Sequence, residues 1–181
     1  MKTKWNLDGT HSSINFAVRH MVVSKVRGRF AGFVGTINLD DADLTQSTVD
    51  VTIDASSIDT GTAQRDEHLR SADFFDVAQF PTLRFRSKRI EKVGKVQFRV
   101  IGDLTIRDVT REVPLDVEYG GRGKDPWGNE RAGFAAKAAI DRKDFGLQWN
   151  QALETGGLLV GDKVEIDLDI QAVKAAAVEA A

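Results

Sequence analysis

The sequence predicts an all-β protein built on one antiparallel sheet that closes on itself. Three observations carry this reading. Stretches that alternate apolar and polar residues recur along most of the chain, and breaks rich in glycine and aspartate separate them. No amphipathic helical repeat lies between them, which argues against a βαβ arrangement. In a strand, successive side chains point to opposite faces, so each such stretch has one dry and one wet side. A chain made mostly of these segments buries its dry sides by rolling the sheet up.

The segments follow in order. Ser13–His20 sets Ile14, Phe16, Val18 and His20 against Asn15, Ala17 and Arg19. Arg27–Leu39 carries Gly28, Gly32 and Gly35, and its aromatic residues change parity between Phe30 and Phe33. Glycine inside such a run marks a bulge or bend. Asp40–Asp43 is a turn, and Ser47–Asp54 then aligns Val49, Val51 and Ile53. Arg84–Ser87 reads as a short strand, with Leu83 and Phe85 facing one way. Lys95–Ile106 keeps parity through Val96, Phe98, Val100, Gly102, Leu104 and Ile106; Glu112–Tyr119 does so through Val113, Leu115, Val117 and Tyr119. Gly120–Pro126 is assigned to a turn or loop. Gly133–Asp141 aligns Phe134, Ala136, Ala138 and Ile140. The clearest alternation comes last, in Val164, Ile166, Leu168, Ile170 and Ala172. This makes about eight strands in a single domain over residues 1–173, followed by an alanine-rich tail, 174–181, expected to be frayed or briefly helical.

Composition narrows the functional classes. A length of 181 residues suits one domain, and 41% hydrophobic with 29% charged residues supports an ordinary core. A formal net charge of −2 argues against nucleic acid as a partner. The chain contains no cysteine, which excludes disulfides, thiolate metal sites and cysteine nucleophiles. No apolar run follows Lys2 and Lys4, and no stretch approaches the roughly 18 apolar residues of a spanning helix. The expected location is cytoplasmic.

One segment, Ser56–Pro81, does not alternate. Arg65–Arg70 within it suggests a helical turn capped by Thr62 or a neighbour. Phe74 and Phe75 are adjacent, so a regular element would not bury both against one core; an irregular loop folded over a barrel mouth would. This segment also carries a resemblance. Together with Asp8-Gly9-Thr10-His11-Ser12-Ser13-Ile14-Asn15-Phe16, Val18-Arg19-His20 and Gly28-Arg29-Phe30, the run Arg65-Asp66-Glu67-His68-Leu69-Arg70-Ser71-Ala72-Asp73-Phe74-Phe75-Asp76 resembles the YceI-like family of lipid or polyisoprenoid binding proteins. Ser57-Ile58-Asp59-Thr60, Phe80-Pro81, Gly102-Asp103-Leu104-Thr105-Ile106, Val109-Thr110, Arg142-Lys143-Asp144-Phe145-Gly146-Leu147 and Val160-Gly161-Asp162 continue it in order, from about Trp5 to Val173. Asp108 departs from the glycine that many members place before the Val109-Thr110 pair, a change confined to a turn.

The resemblance implies a lipocalin-like extended antiparallel β-barrel of about eight strands with a short helical loop insertion, enclosing a long apolar tunnel. It implies a long-chain isoprenoid or acyl amphiphile as ligand, no cofactor, and a homodimer. Many members are periplasmic, from which this sequence, with no leader, departs. Read by themselves, the ten phenylalanines are ordinary core. With the resemblance, Phe16, Val18, Val51, Phe74, Phe75, Phe85, Phe98, Leu104, Phe134 and Ile140 become tunnel wall, and His20 or Arg65 becomes the holder of a polar head group. An aliphatic tail gains roughly 0.8 kcal/mol per buried methylene, so no charge is needed along such a wall. Small residues on inward faces, Gly102, Ala136, Ala138 and Ala172, leave room that leucine would fill.

Other constellations are weaker. His11, His20 and His68 are 9 and 48 positions apart and lack zinc-ligand spacing. His11 reads as a turn residue bonded to backbone, and His68 as a partner of Asp66 or Glu67. Ser12, His20 and Asp66 supply a hydrolase triad on paper, but no Gly-x-Ser-x-Gly elbow marks a nucleophile. Arg65 and Arg70 either hold a phosphate or pair with Asp66, Asp73 or Asp76 to fasten the loop. Trp127 and Trp149 fall in loops where they would touch a membrane transiently, touch a second subunit, or bury against a neighbouring loop. Two alternatives stay open: a small barrel enzyme acting on a lipid-like substrate with His20 or His68 as acid or base, and a dimeric stress-related protein with a filled core.

Overall fold

The computed structural model describes residues 1–21, 23–154 and 158–176. One sheet contains the strands β1 (Lys2–Leu7), β2 (Ser13–His20), β3 (Ser24–Phe30), β4 (Phe33–Asp40), β5 (Thr48–Asp54), β6 (Ile58–Asp59), β7 (Thr82–Lys92), β8 (Gln97–Ile106), β9 (Val109–Lys124), β10 (Glu130–Asp141) and β11 (Val160–Lys174). A single α-helix among the described residues, α1 (Ala63–Arg70), interrupts them. Pairing of β1 with β11 closes the sheet into an antiparallel barrel.

The eleven strands form eight staves. β1 and β2 run in the same direction along β11, separated by the Asp8–Ser12 turn. β3 and β4 are successive halves of one strand that bends at Ala31–Gly32, and β5 and β6 are halves of another, separated by a helical turn at Ala55–Ser57. Each of the eight regions read from alternation is one of these staves, and the bend among the glycines of Arg27–Leu39 is where that pattern put it. Registers bring the dry faces together: Ile14 stands opposite Leu168, Phe16 opposite Ile166, Phe134 opposite Ile170 and Ile140 opposite Val164.

Four details differ from the sequence reading. β1 has no counterpart in it; six residues hold too few alternations to register. β9 continues through Gly120–Lys124, where a loop was expected, and only Asp125–Asn129 turns. Gly121 takes φ 91° beside a register shift at Gly133/Phe134, so the glycines absorb a bulge and the ladder continues. β7 runs well past Ser87, because a register shift between Ser87 and Arg89 breaks its alternation without ending it. Lys174 belongs to β11 and pairs with Trp5; the rest of the expected tail from residue 177 lies outside the described residues. Asp108 needs no glycine, because the positive φ in its turn, 57°, falls on Arg107.

The two barrel ends are built differently. At the hairpin end, Trp5, Ile37, Leu39, Ala132 and Ala172 form a compact apolar cluster supported by Leu7, Leu44, Val49, Tyr119 and Phe134. Trp5 and Ala172 are fully buried there. The helix end is spanned by α1, by the segment leading from it to β7, and by residues 142–154. These pack on the main core through Phe74, Phe75, Leu69, Leu147 and Trp149.

Candidate ligand-binding site

The inward side chains do not fill the barrel. They enclose an almost wholly apolar cavity of about 670 Å³, reaching from Leu39 and Leu44 at the hairpin end to His68 and Trp149 beneath α1. Such a volume lies within the range of about 300–1,000 Å³ usual for small-molecule sites. All twelve residues expected at a lipid site border it: Phe16, Val18 and His20 from β2, Val51 from β5, Arg65 from α1, Phe74 and Phe75 from the following loop, Phe85 from β7, Phe98 and Leu104 from β8, and Phe134 and Ile140 from β10. Strand periodicity explains the β members, since residues two apart share a face.

The small residues behave differently from expectation. Only Ala136 of the four borders the cavity. A Cβ on Gly102 would meet the Phe85 ring at 2.5 Å and the Arg86 carbonyl at 2.6 Å, so this glycine admits a ring of the wall and leaves no space for a guest. Ala172 is packed into the hairpin-end cluster, and Ala138 sits partly buried against the main core.

Most polar wall residues gather at the helix end: Arg19 at the rim and His20 from β2, and Thr60, Thr62, Gln64, Arg65 and His68 from α1 and the segment before it. A relay of side chains shapes this region. The buried Asp66 accepts from the Thr60 amide at 2.9 Å and from Thr60 Oγ1 at 2.5 Å, while Arg65 Nε donates to Thr60 Oγ1 at 2.7 Å and its Nη2 to the Thr60 carbonyl at 2.8 Å. Arg70 donates to the carbonyls of Ser56 and Ile58 at 2.9 and 3.1 Å. Both arginines therefore fasten the loop through hydroxyl and carbonyl oxygens, and neither takes the carboxylate partners the sequence suggested. Thr62 occupies the N-cap position of α1 without a side-chain capping bond.

Phe74 is buried and Phe75 partly buried, in two directions. Phe75 meets Phe30 edge-on at 5.7 Å, and Phe74 tilts against Trp149 at 5.5 Å. His68 is wedged edge-on between Phe74 and Trp149 at 5.2 and 4.6 Å, and its Nε2 lies 2.8 Å from Asp73 Oδ2. Its partner is Asp73, beyond the C-terminal end of α1, instead of Asp66 or Glu67. Ser12 Oγ donates to the Gln171 carbonyl while Asp66 is committed to Thr60, so Ser12, His20 and Asp66 do not assemble. No group of three His, Asp or Glu side chains among the described residues is arranged for a metal ion.

One functional residue escaped the sequence reading, and the two loop tryptophans part company. Trp149 borders the cavity and packs against the neighbouring loop, one of the outcomes open to it, whereas Trp127 is 82% exposed at the opposite end, in the β9–β10 turn. Arg142 is buried and holds the roof loop: Nη1 donates to the carbonyls of Leu147 and Trp149 at 2.7 and 2.9 Å, and Nε to that of Gly161 at 2.8 Å. Burial pulls this guanidinium's pKa down, and Asp162 and Asp141 oppose the shift. The Arg142–Gly146 motif was visible in the sequence; that its arginine points inward to carbonyls was not.

The Asp8–Ser12 motif is a fastening of the hairpin end. Asp8 accepts from Arg131 Nη1 at 2.7 Å and faces His11 Nδ1 at 2.8 Å; Arg131 also donates to Gln171 at 2.8 Å and to Asp125 at 2.8 Å. His11 thus pairs through its ring with a carboxylate instead of with backbone. Arg131 and then His11 hold the Asp8 carboxyl far below the usual carboxylate range. Burial would raise the Asp125 carboxyl, but hydrogen bonds from Arg131, Asn129 and Trp127 outweigh it and hold it at about 2.

A closed antiparallel barrel with an apolar interior and a looped, partly polar mouth defines a class of protein that surrounds its guest. Residues 5–172 match the YceI-like domain, and the chain belongs to that family. A UPF0312 protein of Vibrio cholerae is 43% identical over 140 residues, covering 77% of this chain and 74% of the relative. The crystal structure of Burkholderia cenocepacia BcnA superimposes with a TM-score of 0.80 at 24% identity, covering 91% of this chain and 98% of that one. A polyisoprenoid binding domain from Saccharophagus degradans, implicated in plant cell wall breakdown, gives 0.68 at 17% identity over 94% and 98%. These two structures share the fold.

Proposed function

We propose that the protein binds a long-chain isoprenoid or acyl amphiphile within the barrel and stores or carries it, without chemical conversion. The observation that carries this reading is the apolar cavity of about 670 Å³. An apolar void of about 150 Å³ admits benzene. By that scale the cavity, about 670 Å³, accommodates roughly 25 carbons, a branched or kinked chain of several isoprene units. Ten buried methylenes contribute on the order of 8 kcal/mol before ordering costs, ample for retention. The tail lies among Phe16, Val18, Val51, Phe85, Phe98, Leu104, Phe134 and Ile140; the head group meets His20 or Arg65 beneath Phe74 and Phe75. The polyisoprenoid binding described for the Saccharophagus domain supports the ligand class.

The open interior is at odds with a filled-core scaffold. Cytoplasmic residence, a homodimer and transient contact with lipid surfaces complete the proposal. Organic extraction of the purified protein followed by mass spectrometry tests it. The expected result is a stoichiometric long-chain lipid; an interior holding only water, with no uptake of polyprenyl alcohol or fatty acid from detergent, sinks it.

A further inference from the structure

The β2–β3 hairpin stands at the helix end and has two features that the interior does not explain. Its tip is apolar and exposed: Met21 is 47% and Val23 84% exposed, and Leu158, on the neighbouring loop, is 46% exposed. The Met21 amide donates to the Leu159 carbonyl at 2.9 Å, so the tip and this loop are one patch, and Leu159 and His20 just beneath it border the cavity. Three of the seven large hydrophobic side chains exposed among the described residues therefore lie at the mouth. The outer face behind the tip is basic. Arg19 and Lys25 stand directly opposite each other, and Arg27 and Arg29 follow on the same face of β3. Lys25 meets Glu165 at 2.9 Å and Arg29 meets Asp59 at 3.5 Å, whereas Arg19 and Arg27 have no carboxylate within 4.0 Å among the described residues.

Like charges directly opposite on adjacent strands are destabilising. On a chain of net charge −2, this basic stripe flanks the acidic outward face of β11, Glu165 and Asp167, yet of its four cations only Lys25 and Arg29 form an ion pair among the described residues. From it we infer that the β2–β3 hairpin is a docking surface for an anionic lipid bilayer, entered tip first. Met21, Val23 and Leu158 enter the interfacial layer while Arg19 and Arg27 lie against lipid phosphates. Amphipathic elements with a cationic flank bind anionic membranes in this way, by apolar burial plus electrostatic attraction. The geometry then turns the cavity mouth toward the bilayer, so an apolar tail passes between lipid and barrel without crossing water. A second copy of the chain is a poorer occupant. Between Ser24 and Gly28 the outer edge of β3 has no strand partner among the described residues, but antiparallel pairing of two such edges would set the cations Lys25, Arg27 and Arg29 of one copy against those of the other. The docking inference deepens the carrier proposal in naming where the guest is exchanged.

Vesicle flotation tests it with the full chain. Binding is expected to phosphatidylcholine vesicles containing phosphatidylglycerol, to fall with added salt, and to be much weaker to phosphatidylcholine alone. Removing each cation, in Arg19→Gln and Arg27→Gln, should weaken binding about fivefold. The pair Met21→Ser and Val23→Ser should abolish most of what remains, while Trp127→Ser at the other end changes nothing. Because the chain has no cysteine, an environment-sensitive dye on Val23→Cys and on Trp127→Cys reports depth directly; only the former should shift to the blue on vesicles. Unchanged far-ultraviolet circular dichroism of every variant, and unchanged uptake of polyprenyl alcohol from detergent by Arg27→Gln and by the Met21→Ser, Val23→Ser pair, none of which borders the cavity, show that the variants fold and keep the interior. Vesicle binding that is indifferent to the hairpin variants, that follows Trp127, or that is displaced by a preference for polyanionic peptide or RNA overturns the inference. Failure of lipid uptake with hairpin-dependent vesicle binding intact would instead overturn the carrier proposal.

Discussion

The two ends of this barrel close the same sheet by opposite means. The hairpin end is plugged by close-packed side chains, with Trp5 and Ala172 fully buried, and is tied on its surface by the Asp8–Arg131–Asp125 network. The helix end is roofed by irregular chain, held by hydrogen bonds from Arg65, Arg70 and Arg142 to carbonyl and hydroxyl oxygens. Packed apolar plugs open only at the cost of creating a void. A roof of irregular chain, held by a few side-chain bonds and no strand ladder, opens locally at lower free energy. The difference separates a packed floor at one end from a more readily opened roof at the other.

The largest test of that contrast is at the floor. Trp5→Ala should cost about 3–5 kcal/mol of global stability in urea titration, because the ring is replaced by a cavity; a loss confined to tenths of a kcal/mol would mean the floor is not packed as described. At the roof, Arg142→Met should cost about 2–3 kcal/mol, since it strips charged hydrogen bonds from several carbonyls. Its signature should be local, with faster amide exchange around Leu147–Asn150 than around Trp5. Uniform acceleration across both ends would erase the distinction.

Between the ends, Ala136→Phe narrows the cavity from an inward site on β10 and should weaken binding of a polyprenyl alcohol at least tenfold, about 1.4 kcal/mol, with the barrel intact by circular dichroism. Undiminished binding would place the guest elsewhere.

The smallest effect is pH-dependent. Asp8 has a folded pKa depressed by Arg131 and His11. Its contribution is therefore complete above the ordinary Asp value of about 3.9 and is lost as pH falls through that value toward the depressed one. Asp8→Asn should cost about 1 kcal/mol near neutrality, and wild type and variant should converge as pH drops from about 5 to 3. A gap that widens on acidification would reverse the assigned sign.

Alternation was enough to locate eight staves, because the side-chain period of a strand is two wherever it occurs, and parity alone placed Phe98, Leu104, Phe134 and Ile140 on an inner face. It failed where local pattern and ladder part company. The glycines of Gly120–Gly123 look like a loop but hold a bulge in β9. Ser87–Arg89 loses parity at a shift, yet β7 continues. The candidate site was partly legible for the same reason. Periodicity gave its walls, and the adjacent Phe74 and Phe75 signalled a folded-over loop. Periodicity says nothing about which loop residues turn inward, so Arg142 was missed as part of the roof and the place of Trp149 stayed open between several outcomes. Nor does it distinguish a small residue that leaves space from one already filled, as Phe85 fills the space over Gly102.

The sequence by itself thus determined the strand periodicity, the count of staves, the inward faces and the family, since each depends on neighbours along the chain. Tertiary structure alone decided that the inward faces stop short of contact across the barrel, which end is plugged by Trp5, and which oxygens Arg65, Arg70 and Arg142 find. Those outcomes depend on residues distant in sequence, brought together only when β1 closes against β11.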